Sequence, residues 1–241
     1  MTGSPSSDMQ DPEPKAPAVL RLALFPSFFY RKDRETGELR GVGVELARAL
    51  ALRLGASLTV AEFLSPPKVV EALATGAADV AMLGIDPMRG AEVDYSPPVL
   101  AADFTFLVAA GSELRDIASA DRPGMRIALV RHHAMDTALR GKLAHAERVY
   151  ADTPDAAFEL FRSGSAGVLA GIRPGLLMYA RMMPGTRVLG DRYGRNVIAL
   201  AVRKGEADLL SHVRAFAEQA RADGTVARAI AQAGLGGVDV A

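Results

Sequence analysis

The chain has no cysteine among its 241 residues, which excludes disulfide bonds, thiolate catalysis and cysteine-ligated zinc. It also has no net charge, because 28 basic residues balance 28 acidic ones. A neutral chain offers no overall electrostatic attraction to nucleic acid, so we expect no nucleic-acid partner. No apolar run reaches the ~18 residues of a membrane-spanning helix, so we expect no membrane insertion.

Residues 1–17 are rich in serine, proline and aspartate, and they lack the basic start and apolar stretch of a secretory signal. We predict a disordered leader, because this segment has too little apolar surface to offset the entropy of ordering. A native start at Met1 would imply a cytoplasmic protein. A leader removed ahead of this sequence would imply a periplasmic one, and the sequence leaves both open.

The rest of the chain alternates short apolar runs with amphipathic segments. The runs at 19–25, 57–63, 79–85, 104–109, 126–130, 149–150, 167–170 and 197–203 predict strands. Helical spacing predicts helices at 43–54, 68–75, 137–146, 155–161, 176–182, 207–222 and 225–231. The repeated strand–helix–strand order predicts an α/β protein with mostly parallel sheets flanked by helices.

Seven short motifs then occur in a characteristic order. They are FPSFF (25–29), TGELRGVGVELA (36–47), ADVA (78–81), DPMR (86–89), VDYSPP (93–98), AVRKG (201–205) and ADGTV (222–226). On these residues the chain resembles the family 3 solute-binding proteins, within them an uncharacterised transporter substrate-binding branch. The resemblance implies the two-lobed type II periplasmic-binding-protein fold, with two crossover strands near 97–103 and 203–206. Lobe 1 would comprise residues 18–100 and 206–241, and lobe 2 residues 101–205.

The resemblance also implies a function. The protein would close around a small polar, carboxylate-bearing molecule for transport or sensing, as a monomer without metal, cofactor or catalysis. In transport, its partner would be an ABC permease. The alternative is a lyase on the same fold, similar to cyclohexadienyl dehydratases. Those enzymes use a carboxylic acid in the second lobe, and residues 163–175 contain none.

The resemblance places several candidate ligand-binding residues in lobe 1: Arg89, Gly84, Ile85, Asp86, Phe25, Phe28 and Glu62. Arg89 matches the arginine that grips a ligand carboxylate, a task that suits the planar fork of a guanidinium. A surface ion pair with Glu92 or Asp94 is the other interpretation of Arg89. Phe28 is either a wall against the ligand or part of the core, and Glu62 either meets a ligand amine or is solvated.

Lobe 2 departs from the family pattern. Amino-acid binders usually have Gly-Thr after the strand at 126–130, where this chain has Arg131, His132 and His133. They also carry an acid for the ligand ammonium after the strand at 167–170, where this chain continues to Arg173. A buried ammonium without a partner is costly, so we expect weak binding of α-amino acids. The arginines favour an anionic ligand, and the adjacent histidines are expected to donate hydrogen bonds or lie on the surface.

Overall fold

The computed structural model describes residues 16–25, 27–33, 35–131 and 133–241, so His132 and all but the end of the predicted leader lie outside it. The strands are β1 Val19–Leu24, β2 Arg31–Lys32, β3 Leu39–Arg40, β4 Ser57–Glu62, β5 Val80–Gly84, β6 Val93–Ala109, β7 Arg126–Val130, β8 Glu147–Ala151, β9 Val168–Ile172, β10 Thr186–Val188, β11 Gly194–Arg203 and β12 Val238–Val240. The helices are α1 Val42–Leu54, α2 Pro66–Ala74, α3 Ala134–Leu139, α4 Pro154–Arg162, α5 Arg173–Met182, α6 Ala207–Ala222 and α7 Thr225–Ala233. Among the helices in the described ranges, none is both long and apolar enough to cross a bilayer.

Helix α1 shows how the sequence sets local structure next to the cleft described below. Val44, Leu46 and Leu50 recur at helical spacing and are buried. Gly41 precedes the helix with φ +133°, and a Cβ at this position would lie 2.6 Å from the Phe29 carbonyl oxygen. Glycine at 41 therefore lets the segment around Phe29 pack directly against the start of α1.

Each half of the molecule has its own run of parallel strands. The first half has the order β4-β1-β5, and the second has β8-β7-β9. Between them, β11 and β6 pair antiparallel with each other and with the neighbouring strands β5 and β9, so hydrogen bonding continues from one half to the other. The predicted α/β class, with a mostly parallel sheet in each half, is confirmed.

Two long strands, β6 and β11, carry the chain between the halves. Strand β11 begins opposite Phe104 in the second half and ends opposite Val93 in the first. Because Ile198–Ala201 already pairs with β5, the second crossing comes before Ile198. The crossover predicted at 203–206 was therefore placed too late, whereas β6 does cross within 97–103. The exact lobe boundaries remain predictions.

The two halves have separate hydrophobic cores. In the first, Leu20 and Leu46 pack in one cluster with Phe216 of α6, so the C-terminal helices return to this half. In the second, Phe106 and Ile127 belong to a different cluster. Each half has a second buried cluster as well. Because only a pair of strands joins the halves, hinge motion can leave the clusters of each half intact.

One predicted helix is wrong. Helix α3 spans Ala134–Leu139, whereas the periodicity predicted a helix over 137–146. The backbone leaves the helical path at Arg140, whose ψ is 132°, and Gly141 follows with φ +74°. Beyond it, the Asp121 carboxylate accepts hydrogen bonds from the backbone N–H groups of residues 144–146. These groups are therefore held in a loop by a residue more than twenty positions earlier.

Candidate functional site

A cleft of about 460 Å³ lies between the two halves. Phe25, immediately after β1, lines it from the first half, and residues 169–172 at the carboxyl end of β9 line it from the second. The first turns of α3, α4 and α5 also border it. Ligands in open α/β sheets bind at the carboxyl ends of parallel strands, so the cleft has the position expected of a binding site.

Phe28 bridges the cleft. A Cβ added to Gly175, near the start of α5, would lie 2.6 Å from the Phe28 Cζ atom. The phenyl ring from the first half therefore lies directly against the backbone of the second. Phe29, one residue later, also lines the cleft but packs against the core of the first half. The bridging contact joins the two halves at the mouth of the cleft.

Within the described part of the chain, the polar side chains that line the cleft are Ser27, His133, Asp155, Tyr179 and Asn196. Two of them are paired: the Tyr179 hydroxyl donates a 2.7 Å hydrogen bond to Asp155 Oδ1. Burial raises the pKa of the Tyr179 phenol, and the hydrogen bond to Asp155 raises it further. The phenol therefore stays protonated and keeps donating to the carboxylate at physiological pH.

Asn196, near the start of β11, covers Gly84 at the end of β5. A Cβ at Gly84 would lie 2.8 Å from Asn196 Oδ1. The position therefore has no room for serine or threonine while Asn196 keeps this conformation. Asn196 therefore supplies an amide group to the cleft wall beside Gly84.

Residues 22–234 match the model of the family described as bacterial extracellular solute-binding proteins, family 3. The chain belongs to this family. It is 23% identical over 200 residues to the ABC transporter glutamine-binding protein GlnH of Bacillus subtilis (strain 168), covering 81% of this chain and 73% of that protein. The predicted family and its ligand-binding function are thus confirmed.

Solved structures share the fold over most of the chain. An ancestral cationic amino acid solute-binding protein is 25% identical with a TM-score of 0.74, covering 89% of this chain and 95% of the other. A binding component of an ABC transporter from Wolinella succinogenes DSM 1740, complexed with lysine, is 21% identical with a TM-score of 0.77 and the same two coverages. These similarities confirm the type II periplasmic-binding-protein fold.

In this solute-binding protein, Arg89 lies just beyond β5 in a short 3₁₀ segment. Its side chain is 28% exposed, and Nε lies 3.8 Å from Asp86 Oδ2. Its Nη1 donates a 3.3 Å hydrogen bond to the Gly84 carbonyl oxygen, which also accepts one from the Tyr95 hydroxyl at 3.4 Å. Neither Arg89 nor Gly84 is among the described residues that line the cleft, whereas Asn196, which lies against Gly84, is one of them.

Ile85 also lies at this strand end but not on the cleft wall. Its backbone N–H donates a 2.8 Å hydrogen bond to the Val197 carbonyl oxygen, so this group is used by the sheet. Its side chain is 42% exposed. The structure therefore brings Gly84, Ile85, Asp86 and Arg89 together at the end of β5, as the resemblance implied. Their role in binding stays a prediction.

Glu62 forms its described hydrogen bonds with neighbours in the first half. Its carboxylate lies 2.9 Å from Lys32 Nζ and accepts a 3.2 Å hydrogen bond from the Tyr30 hydroxyl. The hydrogen bond from Lys32 holds the pKa of Glu62 below its ordinary value. Burial and the nearby Glu62 charge raise the pKa of Tyr30 to about 12. Glu62 is not among the described residues that line the cleft.

The two arginines proposed for the second lobe have structural partners. Arg131 Nε lies 2.6 Å from Asp152 Oδ1, just beyond the carboxyl ends of β7 and β8. Arg173 donates to the carbonyl oxygens of residues 189–191, and its Nη2 lies 3.4 Å from Asp103 Oδ2. Neither arginine is among the described cleft-lining residues.

His133 does line the cleft, directly before α3. Neighbouring protein atoms partly desolvate the imidazole, although the side chain keeps contact with solvent, and this lowers its pKa below the ordinary 6.5. At pH 7 the ring is therefore neutral and offers one donor and one acceptor to the cleft. Of the predicted site residues that the structure describes, Phe25, Phe28 and His133 line the cleft.

Sequence reasoning missed several lining residues, among them Phe104, Met135, Asp155, Tyr179 and Asn196. The start of α4 did carry a signal, because Thr153 and Pro154 mark a helix start whose first turn contains Asp155. First turns of helices that follow parallel strands face the binding edge of a sheet, and this rule identifies Asp155. Nothing in the local sequence around Tyr179 indicates its partner 24 positions earlier.

Proposed function

We propose that this protein closes around a small carboxylate-bearing molecule and delivers it to an ABC permease, without catalysing a reaction. The observation that carries the proposal is the cleft of about 460 Å³ bridged by Phe28 and Gly175. Closure about β6 and β11 would bury a ligand between two rigid cores. The glutamine-binding relative is named as part of an ABC transporter, which supports delivery to a permease.

The Arg89 guanidinium is the proposed anchor for the carboxylate. Its contact with Asp86, at 3.8 Å, is longer than a good hydrogen bond. Its closer described contact, with the Gly84 carbonyl oxygen, does not neutralise the charge. A partly exposed guanidinium in this state can form the bidentate pair that favours a carboxylate. We therefore expect the ligand carboxylate to displace water around Arg89 as the cleft closes.

Truncation of Arg89 tests the anchor. A charge-assisted hydrogen bond contributes about 1.5–3 kcal/mol, so Arg89→Ala should weaken ligand binding by roughly ten- to a hundredfold. Arg89→Lys should recover only part of the affinity, because a point charge cannot replace the planar fork. Arg221→Ala, at an exposed position on α6, is the control. Calorimetric titration gives the affinities. If Arg89→Ala leaves the affinity unchanged and lowers the melting temperature, Arg89 is a structural residue and not the anchor.

The absence of catalysis and the delivery to a permease need separate tests. Prolonged incubation of ligand with protein should leave the ligand unchanged by NMR, whereas a dehydratase would release water and a new product. Genes for a permease and an ATPase beside this one would support transport, and deletion of this gene should then abolish uptake. Intact uptake in the deletion strain would favour sensing. Cell fractionation decides between the two compartments.

A further inference from the structure

The cleft that the proposed function requires is lined mainly by apolar side chains. Its large apolar side chains include Phe25, Phe28, Phe29, Phe104, Met135 and Met178. They come from both halves, so a ligand held between the halves is contacted by apolar groups on opposite faces. A small hydrophilic ligand would leave these surfaces without partners, whereas a bulky apolar group would remove them from water.

The charges around the cleft limit what else a ligand can carry. Arg131 and Arg173 are paired elsewhere, so they offer no counterion for a second carboxylate inside the cleft. Asp155 lines the cleft and would repel one. An α-ammonium would find one described carboxylate in the cleft, Asp155, and would have to share it with the Tyr179 hydroxyl, which donates to Oδ1 at 2.7 Å.

Resting on the proposed function, we infer that the ligand is a monocarboxylate whose body is apolar and about the size of a six-membered ring. The carboxylate lies at the Arg89 end, and the ring lies beside Phe28 and against the second-half wall around Met178. This ligand class differs from both dicarboxylates and zwitterionic amino acids. The ring supplies the buried apolar area, and the single carboxylate supplies the directional contact.

Four probes separate these classes. We use 3-phenylpropanoate, 3-cyclohexylpropanoate, glutarate and L-phenylalanine, in thermal-shift and calorimetric titrations of the full chain. The two ring-bearing monocarboxylates should raise the melting temperature and bind at least tenfold more tightly than the other two. L-phenylalanine differs from 3-phenylpropanoate only by the added ammonium group. Glutarate lacks the ring and carries a second carboxylate and one more methylene group.

Two methionines on α5 provide a matched pair of variants. Met178 lines the cleft and is 40% exposed, whereas Met182, one turn later and 65% exposed, is not among the described lining residues. Both positions are open enough to accept glutamine without disturbing the core. Met178→Gln should weaken 3-phenylpropanoate binding about three- to tenfold, and Met182→Gln should leave it unchanged. If neither variant changes the affinity for 3-phenylpropanoate, that ligand binds outside this cleft and the inference is wrong.

The same titrations, repeated with Arg89→Ala, separate the two proposals. If glutarate binds most tightly and its binding depends on Arg89, the apolar ligand class is wrong and the proposed function stands. If the binding of 3-phenylpropanoate depends on Met178 but not on Arg89, the ligand class is right and Arg89 is not the anchor of the carboxylate. If neither ring-bearing carboxylate binds, the inference is wrong. If no carboxylate of any kind binds, the proposed function fails with it.

Discussion

At the scale of single residues, the contact between Phe28 and Gly175 couples the two halves most directly. Gly175→Ala would place a methyl group 2.6 Å from the Phe28 Cζ atom, so the ring must move away from α5. We expect at least a tenfold loss of affinity for the tightest ligand found, measured by calorimetry. The melting temperature without ligand should change little, because alanine is a better helix former than glycine.

A double-mutant cycle checks the cause of this loss. In a Phe28→Ala background the added methyl meets no ring, so Gly175→Ala should have almost no further effect on affinity. Equal losses in both backgrounds would mean that Gly175 acts on binding without Phe28. The account of the bridging contact would then be wrong.

The residues of the site could be predicted only in part. Phe25, Phe28 and His133 line the cleft because they follow strands, and strand ends are readable from the sequence. Arg173 was expected to face an anion, but its guanidinium is taken up by the backbone oxygens of residues 189–191. Asp155 was missed for the converse reason. Local sequence shows which residues carry charge, and tertiary contacts decide where that charge is used.

At the scale of elements, Asp103 ties together the strands that join the halves. It lies on β6, 3.5 Å from Arg195 of β11, 3.4 Å from Arg173 of α5 and 3.4 Å from Arg192. Asp103→Asn would leave three guanidinium groups close together, one of them largely buried. We expect a loss of about 1–3 kcal/mol in the free energy of unfolding, measured in urea.

Asp239→Asn is the matched control for Asp103→Asn. Its carboxylate is 66% exposed and lies 3.1 Å from Arg195, so the pair is a surface salt bridge worth at most about 1 kcal/mol. If the two variants are equally stable, Asp103 contributes no more than a surface charge and the network does not hold the crossover strands.

The turn between β11 and α6 should respond to acid through Asp94. Its carboxylate accepts hydrogen bonds from Lys204 Nζ at 2.7 Å and from the Gly205 backbone N–H at 2.9 Å. The Lys204 contact, followed by the Gly205 N–H, lowers the pKa of Asp94 below its ordinary 3.8. A lowered carboxyl pKa stabilises the fold above the ordinary value, and this stabilisation is lost as pH falls through the folded-state pKa.

Asp94→Asn should therefore lower stability at pH 7 by about 0.5–1 kcal/mol, because the Lys204 side chain is half exposed and its pairing is screened. The difference from the natural protein should shrink as the pH falls below about 4. Urea titrations from pH 7 to pH 2.5 measure it, with Glu218→Gln on α6 as control. A difference that stays constant with pH would mean that the charge of Asp94 plays no part.

The elements themselves follow from the sequence wherever apolar periodicity is local. Helix α6 has the predicted bounds, because the apolar spacing of Leu209, Val213 and Phe216 within its own sequence defines the buried face. Strand β6 extends back to Val93, well before the predicted start at 104, although Pro97 and Pro98 argue against a strand. The pairing with β11 shifts register beside these prolines, and such irregularities accommodate residues that lack an N–H.

At the scale of the whole molecule, the architecture was predictable because order and spacing of motifs identify the family fold. What the sequence did not show is how the halves meet. The Phe28 contact and the apolar cleft both arise from segments more than a hundred residues apart. Contacts of this kind decide ligand chemistry, which is why family membership alone indicates binding but not the ligand.

The central claim is that the two halves close around a carboxylate held by Arg89. The chain contains no cysteine, so Leu64→Cys in the first half and Met182→Cys in the second can be spin-labelled selectively. The two side chains are 90% and 65% exposed, so labels should not disturb packing. Double electron–electron resonance then measures the distance between the labels with and without ligand.

We expect a shorter and narrower label-to-label distance distribution at a ligand concentration just above the Kd of the natural protein, and a much smaller change in the Arg89→Ala protein at that same concentration. A ligand that raises the melting temperature while leaving the distribution unchanged would contradict closure. The same shift in the Arg89→Ala protein would contradict the anchor.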